Sequence, residues 1–283
     1  KRISKNLKSQ IFEAVNSSEL KSSFISKLDK LMSGLLAKAS MELLEKLSIN
    51  ADEVKAIGSH GQTIKHSPNS GKPFSLQLGQ PKIISELTSI KTIGDFRTAD
   101  INAGGQGAPL TPLFHKFILD IKKQNKGTFI NIGGIANLTY IDLSQGKLFG
   151  YDCGPGNCLM DAWVRENKER SYDKDGKWAS SGKLIEGLLD RMLNDKYFSL
   201  SKPKSTGPDY FNLDWINKMI IKSKLKPSDK NVQATLLELT AKSIFNEIRK
   251  LPDLGSRVYF CGGGVHNNFL IQRIEQQLGR KIL

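Results

Sequence analysis

Residues 128–157 read TFINIGGIANLTYIDLSQGKLFGYDCGPGN. Three short apolar runs, 128–132, 138–142 and 147–151, are separated by Gly133-Gly134 and by a polar turn. Runs of this length bounded by glycine suit strands rather than helices. The stretch predicts strand, turn, strand, turn, strand, ending at Asp152 in a Gly-Pro-Gly loop. A second apolar run, 257–261, leads into Gly262-Gly263-Gly264, and helical spacing follows over 268–278. Strand–glycine turn–helix units among long helices imply an α/β chain with mixed sheets.

The residues to Ser48 show apolar positions at helical spacing and predict two amphipathic helices, with Asp29 and Lys30 among the charges on the other face. Segments 54–61, 74–78 and 90–96 predict strands. Segment 81–87 predicts a helix with Pro81 in its first turn, and 102–107 is a glycine-rich loop. Helices are expected over 113–121, 161–166, 183–193 and 233–249. The polar stretch 124–127 is the expected domain boundary, giving domains 1–127 and 128–283.

The chain has 283 residues, 39% hydrophobic and 25% charged, a globular rather than disordered composition. No apolar run is long enough to predict a membrane span. The basic start, Lys1-Arg2, is not followed by the apolar core of a signal peptide. A formal net charge of +14 points to an anionic partner. The lysines form no basic stripe interleaved with aromatics, which argues against a dedicated nucleic-acid surface. Cys153, Cys158 and Cys261 lie at no metal-ligand spacing, so free thiols in a reducing compartment are expected, and no metal-ligating residues are assigned.

Several motifs can carry chemistry. Glycine turns at 131–137 and 261–267 can bring backbone N–H groups close to phosphate, although glycines also serve tight turns. Neither turn is a P-loop or a dinucleotide fingerprint. Asp152, where a strand ends, can act as a general base or can cap its own turn. Asp161 reads better as the N-terminal charge of its helix. Gln62, Thr63, Asp95 and Arg97 suit a hydroxylated, carboxylated ligand, with Arg97 able to grip a carboxylate bidentately. Asp95 and Arg97 could equally pair with one another. His60 reads as a turn histidine. The loop 202–211 can touch phosphate or close over a ligand, with a solvated loop as the plainer reading.

Taken together, GSHGQT (58–63), LG (78–79), GDFRTAD (94–100), AGGQGAPLTP (103–112), NIGGIANL (131–138), DCGPGNCLMD (152–161), PKSTG (203–207), QATLLELTA (233–241) and CGGGVHN (261–267) closely resemble the anhydro-N-acetylmuramic acid kinase family, in the sugar kinase/Hsp70/actin superfamily. The resemblance implies a two-domain actin-like (ribonuclease H-like) fold, with mixed five-stranded sheets flanked by helices around a central cleft. It implies ATP with Mg2+, and hydrolytic opening of a 1,6-anhydro sugar ring coupled to phosphorylation of its 6-oxygen. Asp152 then becomes the base. Gln62, Thr63, Asp95 and Arg97 become sugar-binding residues. Gly133 and Gly134 face the ATP phosphates, Gly262, Gly263 and Gly264 the adenosine end, and Asn137 is a further cofactor-binding residue. A cytoplasmic homodimer that binds neither nucleic acid nor membrane is expected. The family pattern also places a Gly-Thr-Ser-Asp-Gly hairpin before Lys1 and a strand and helix after Leu283. A non-catalytic relative that binds sugar or a partner protein is the alternative.

Overall fold

A computed structural model describes residues 3–17, 19–67, 71–253 and 257–282. The basic start at Lys1-Arg2 lies outside the described residues. The chain divides into two compact units, 1–110 and 111–283. The expected boundary at 127/128 falls within a strand of the second unit. The physical reason is the helix Thr111–Ile121, which packs on that unit's sheet and places Leu119 in a cluster with Phe129 and Ile141.

In the first unit, α1 (Lys5–Asn16) and α2 (Ser22–Leu47) bear out the two expected helices. The Ser4 hydroxyl caps α1 by accepting the Leu7 N–H at 3.2 Å. Strands β1 (Ile57–Gly58), β2 (Gln62–Ser67) and β3 (Phe74–Leu78) follow, then α3 (Pro81–Thr88), β4 (Thr92–Ile93) and α4 (Thr98–Asn102). Strands β1 and β4 pair in parallel, and β2 and β3 antiparallel. The core joins Ala14, Leu28 and Met32 to Ile64 and Leu78. Asp29, expected on the outer face of α2, is in fact buried. Its carboxylate accepts the Gly79 N–H at 2.7 Å and the Gln80 side-chain amide, while Ser33 accepts the Gln80 N–H at 2.9 Å. A buried carboxylate needs such donors. Here they come from the turn that launches α3.

The second unit begins with α5 (Thr111–Ile121). Next come β5 (Lys126–Ile132), β6 (Ile135–Asp142) and β7 (Lys147–Pro155), the three strands expected from 128–157. Helices α6 (Cys158–Lys168), α7 (Lys177–Ser180), α8 (Glu186–Leu193), α9 (Lys196–Ser199), α10 (Leu213–Ser223) and α11 (Asp229–Ile248) precede β8 (Val258–Cys261) and α12 (Asn268–Leu278). The sheet order is β7-β6-β5-β8; β6 is antiparallel to both neighbours and β5 is parallel to β8. This confirms mixed α/β architecture. The five-stranded sheets are not seen among the described residues. The second unit has four strands, and the first has two two-stranded pairs because β1 and β4 are two residues each.

Helix α11 is buried on nearly every side, packing on β7, α6, α7, α8 and α12. A helix so enclosed must satisfy its polar side chains internally. Thr240 donates to the Gly156 carbonyl at 2.8 Å, and Glu238 takes Arg273 at 2.7 and 3.0 Å. The core behind the sheet includes Ile130, Ile132, Leu138, Tyr140, Leu236 and Ile244. No helix among the described residues is long and apolar enough to cross a membrane.

Candidate active site

The turn between β5 and β6 is stitched to the end of β7. The Gly156 and Cys158 N–H groups donate to the Gly134 carbonyl at 2.9 and 3.0 Å, and the Asn157 N–H to the Gly133 carbonyl at 2.8 Å. The Gly156, Asn157 and Cys158 amides at the entry to α6 are therefore already used. A side-chain carbon at Gly133 would come no nearer than 3.4 Å to another residue, and at Gly134 no nearer than 4.0 Å. Neither glycine has a left-handed φ. Neither the space around them nor their φ requires glycine at either position.

The second glycine turn is different in kind. Gly262 has φ +86°, and a β-carbon there would meet the Ile132 carbonyl oxygen at 2.7 Å. Gly264 packs against the Ile132 side chain, whereas Gly263 has open space and lines a cavity of about 510 Å3. Asn157, Met160, Asp161, Tyr172 and Asp173 also line that cavity. Asp161 stands in the first turn of α6, as expected, and also faces the cavity. Burial pushes its carboxyl up to about 6 against the opposing pull of Arg165. Asp173 accepts the Trp178 and Ala179 N–H groups, both at 2.9 Å, and so caps α7.

Asp152 lies near the end of β7. Its N–H donates to the Lys204 carbonyl at 3.0 Å, and its own carbonyl accepts the Tyr197 hydroxyl at 2.8 Å. The carboxylate Oδ2 accepts the Thr206 N–H at 2.9 Å. Asp152 therefore caps the 203–207 loop rather than its own turn. Burial raises its pKa to about 6, and the Thr206 bond opposes the rise. Asn137 is its register partner on β6, next to a bulge, and Asn137 Oδ1 is buried without a hydrogen-bond partner among the described residues.

Much of the 202–211 loop is exposed, as the plainer reading expects, but Lys204 turns inward. Its side chain is 2% exposed, and Nζ donates to Glu247 of α11 at 2.9 Å. Glu247 also takes Lys250 at 2.9 Å and the Tyr151 hydroxyl at 3.2 Å. Burial pushes Glu247 up, but the bonds from Lys250 and Lys204 outweigh it and hold the carboxyl below its ordinary range.

The predicted sugar-binding residues all lie in the first unit. Arg97 donates to His60 Nε2 through Nε at 3.2 Å and Nη2 at 2.7 Å, and through Nη1 to the Gly107 carbonyl at 2.6 Å. A guanidinium only donates, so Nε2 accepts and His60 Nδ1 carries the proton, facing the Gly61 carbonyl at 3.3 Å. His60 is thus more than a turn residue: it holds the fork of Arg97. Asp95 does not pair with Arg97. It accepts the Thr98 hydroxyl at 2.6 Å at the start of α4. The Gln62 amide donates to the Thr63 carbonyl at 3.0 Å, and the Thr63 hydroxyl accepts from Gln77 at 3.3 Å.

A larger cavity of about 980 Å3, lined by residues of α8 and α10, offers less. Its carboxylates and cations are mixed, and Asp195 is occupied by the Tyr197 N–H, the Tyr210 hydroxyl and the Trp215 indole. Size alone does not make a site; convergent, uncommitted polar groups do. The three cysteines are free thiols. No cluster of three His, Cys, Asp or Glu suited to a metal occurs among the described residues.

Comparison with known proteins adds an independent line. The chain is 46% identical over 248 residues to the anhydro-N-acetylmuramic acid kinase of Coxiella burnetii, covering 87% of this chain and 66% of that protein. It therefore spans just under two thirds of that relative's length. It is 42% identical over 273 residues to the enzyme of that name from Aliivibrio fischeri, covering 96% and 73%. The counterpart from Pseudomonas syringae is 45% identical over 245 residues, covering 86% and 66%. The family profile described as anhydro-N-acetylmuramic acid kinase matches residues 2–283, so the chain belongs to that family.

Proposed function

We propose that the protein uses ATP to open the 1,6-anhydro ring of 1,6-anhydro-N-acetylmuramic acid, yielding N-acetylmuramic acid 6-phosphate and ADP in cell-wall recycling. The observation that carries the proposal is Asp152: a largely buried carboxylate paired in register with Asn137 on β6, the strand that leaves the Gly133-Gly134 turn. In this reading Asp152 removes a proton from a water that attacks the anomeric carbon. The bond from that carbon to the bridging oxygen breaks, and the oxygen stays on carbon 6 and attacks the γ-phosphorus in line. ADP leaves, and Asp152 returns its proton to solvent. With Oδ2 held by Thr206, Oδ1 receives the proton. Phosphoryl transfer of this kind depends on positioning and charge neutralisation.

The Gly133-Gly134 turn supports a role at the phosphates, and the Gly263 cavity one at the adenosine. The orphaned Asn137 acceptor beside Asp152 fits a hydroxyl or water donor. Gly262 and Gly264 act behind them, as packing against β5. Mg2+ commonly rides on phosphate oxygens with only one or two carboxylates, so a preformed cage is not required. When bound, it supplies charge neutralisation at the phosphates. Arg97, with Gln62, Thr63 and Asp95, holds the sugar and its lactyl carboxylate. Family membership further supports a cytoplasmic homodimer.

The direct test is release of ADP from ATP and Mg2+ by the full-length protein, dependent on the anhydro sugar. Absence of sugar-dependent ADP release sinks the reading and favours a non-catalytic binder. Two results follow from the geometry. First, a base that titrates at about 6 must be ionised to work, so kcat/KM is expected to climb through about pH 6 and level off above it. A profile flat from pH 5 to 8 would remove Asp152 as the base. Second, Arg97→Lys keeps the charge but loses the fork held by His60 and Gly107. A charge-assisted bond is worth about 1.5–3 kcal/mol, so KM for the sugar should rise roughly 10- to 100-fold. KM for ATP should hold steady in the same titrations.

A further inference from the structure

We infer that Lys204 and Glu247 are positioning residues for Asp152: their buried ion pair clamps the 203–207 loop so that its backbone holds the Asp152 carboxylate ready to accept a proton. The inference rests on the reading of Asp152 as the base.

The clamp is a continuous chain of short contacts. Glu247 is fixed on α11, a helix buried on nearly every side. It grips Lys204 Nζ at 2.9 Å, and that ammonium also lies 4.9 Å from the centre of the Tyr197 ring. The Lys204 carbonyl then accepts the Asp152 N–H at 3.0 Å. Two residues on, the Thr206 N–H reaches Asp152 Oδ2 at 2.9 Å. Tyr197 closes the ring by donating to the Asp152 carbonyl at 2.8 Å. A loop alone is a poor platform for such a donor, because loops are the more mobile parts of a fold. A buried ion pair is weak evidence of added stability, since apolar replacements often fold as well. The arrangement gains its meaning from what the loop does next, which is to present one N–H to one carboxylate.

Burial and the Thr206 N–H are what act on the Asp152 carboxylate itself. Tyr151 and Cys153 flank it on β7 and point to the other face of the strand. There, with Tyr197 of α9, Lys204 of the loop and Glu247 and Lys250 of α11, they act on one another. Burial raises the two tyrosines and the Cys153 thiol, which keeps them neutral near pH 7. Lys204, Glu247 and Lys250 are the charged members.

The test uses the full-length protein carrying Lys204→Met together with Glu247→Leu. The double change removes one charge of each sign and fills the space with apolar atoms, so neither partner is left buried alone. Loss of the loop's hold releases the Thr206 N–H, which favours the ionised carboxylate. The acid limb of kcat/KM should therefore move up by about one pH unit. Activity at pH 6 should fall roughly 5-fold and recover on the alkaline side. KM for ATP should be unchanged. Burial and the Thr206 bond, rather than the charges of Lys204, Glu247 or Lys250, set the Asp152 pKa, so an upward shift reports the lost bond. Thr206→Pro deletes the donor itself and should shift the limb the same way. Titration of Asp152 by carboxyl 13C NMR, assigned against Asp152→Asn, reads the same shift without turnover. If the NMR shift appears in a protein that releases no sugar-dependent ADP, the clamp stands and the function reading falls. If the folded double variant titrates Asp152 where the parent does, or loses activity equally at every pH, the clamp is overturned.

Discussion

Asp152→Asn is expected to reduce sugar-dependent ADP release by about 10³-fold, the scale of a lost general base, while KM for ATP stays within about twofold, since no nucleotide contact is lost. Asparagine preserves the shape of the side chain, and its carbonyl oxygen can still accept the Thr206 N–H that Oδ2 accepts now. What it cannot do is take a proton from water. The same variant should be more stable than the parent near neutrality. Burial lifts the Asp152 pKa from its ordinary 3.8 to about 6, so the folded state binds that proton more tightly than the unfolded chain does. This contribution to stability is full below about pH 4 and is lost as pH rises through about 6. Above that, holding the buried carboxylate costs on the order of 2–3 kcal/mol. Asparagine carries no such cost. The melting temperature of the variant should match the parent near pH 4 and exceed it by several degrees at pH 7.5. A variant that is inactive but also less stable at pH 7.5 would mean that the loss is structural. Normal turnover would end the assignment of Asp152 as base.

Legibility in the sequence followed the range of the interactions. Strands β5, β6 and β7 were readable because their apolar runs and bounding glycines are local signals, and α11 because its apolar spacing persists for five turns. Strand β2 was not, because Gln62–Ser67 buries only Ile64 among polar neighbours and becomes a strand through its pairing with β3. Asp29 looked like an ordinary surface charge of an amphipathic helix, yet its partners are the amides of Gly79 and Gln80, fifty residues away and more in sequence. The site divides in the same way. Asp152 stood out as a carboxylate at a strand end. The Lys204–Glu247 pair and the grip of His60 on Arg97 are long-range matches that no spacing rule reveals. The helix α5 fell on the wrong side of the expected boundary for the same reason. The polar stretch 124–127 looks like a linker, but the packing of Leu119 under the sheet decides where the unit begins.

The glycines should separate by experiment into those the fold needs and those a ligand needs. Gly264→Ala is expected to lower the melting temperature, because its methyl group would run into the Ile132 side chain at the end of β5. Gly262→Ala adds a strained φ of +86° to a contact with the Ile132 carbonyl. Overpacking of this kind costs about 1–3 kcal/mol. Gly133→Ala and Gly134→Ala should behave in the opposite way. Their added methyls meet nothing closer than 3.4 Å, and alanine restricts the unfolded chain, so stability should hold or rise by up to about 1 kcal/mol. The penalty should fall on nucleotide binding. In the proposed reading a methyl group on either residue stands where a phosphate approaches the turn's backbone N–H groups, and losing one or two bonds to a charged ligand at about 1.5–3 kcal/mol each should raise KM for ATP by roughly 10- to 100-fold or more. The measurement pairs thermal melts with ATP titrations across the four single variants. Unchanged ATP kinetics in both Gly133→Ala and Gly134→Ala would remove this turn from the phosphate site, because no feature of the fold itself explains glycine at either position.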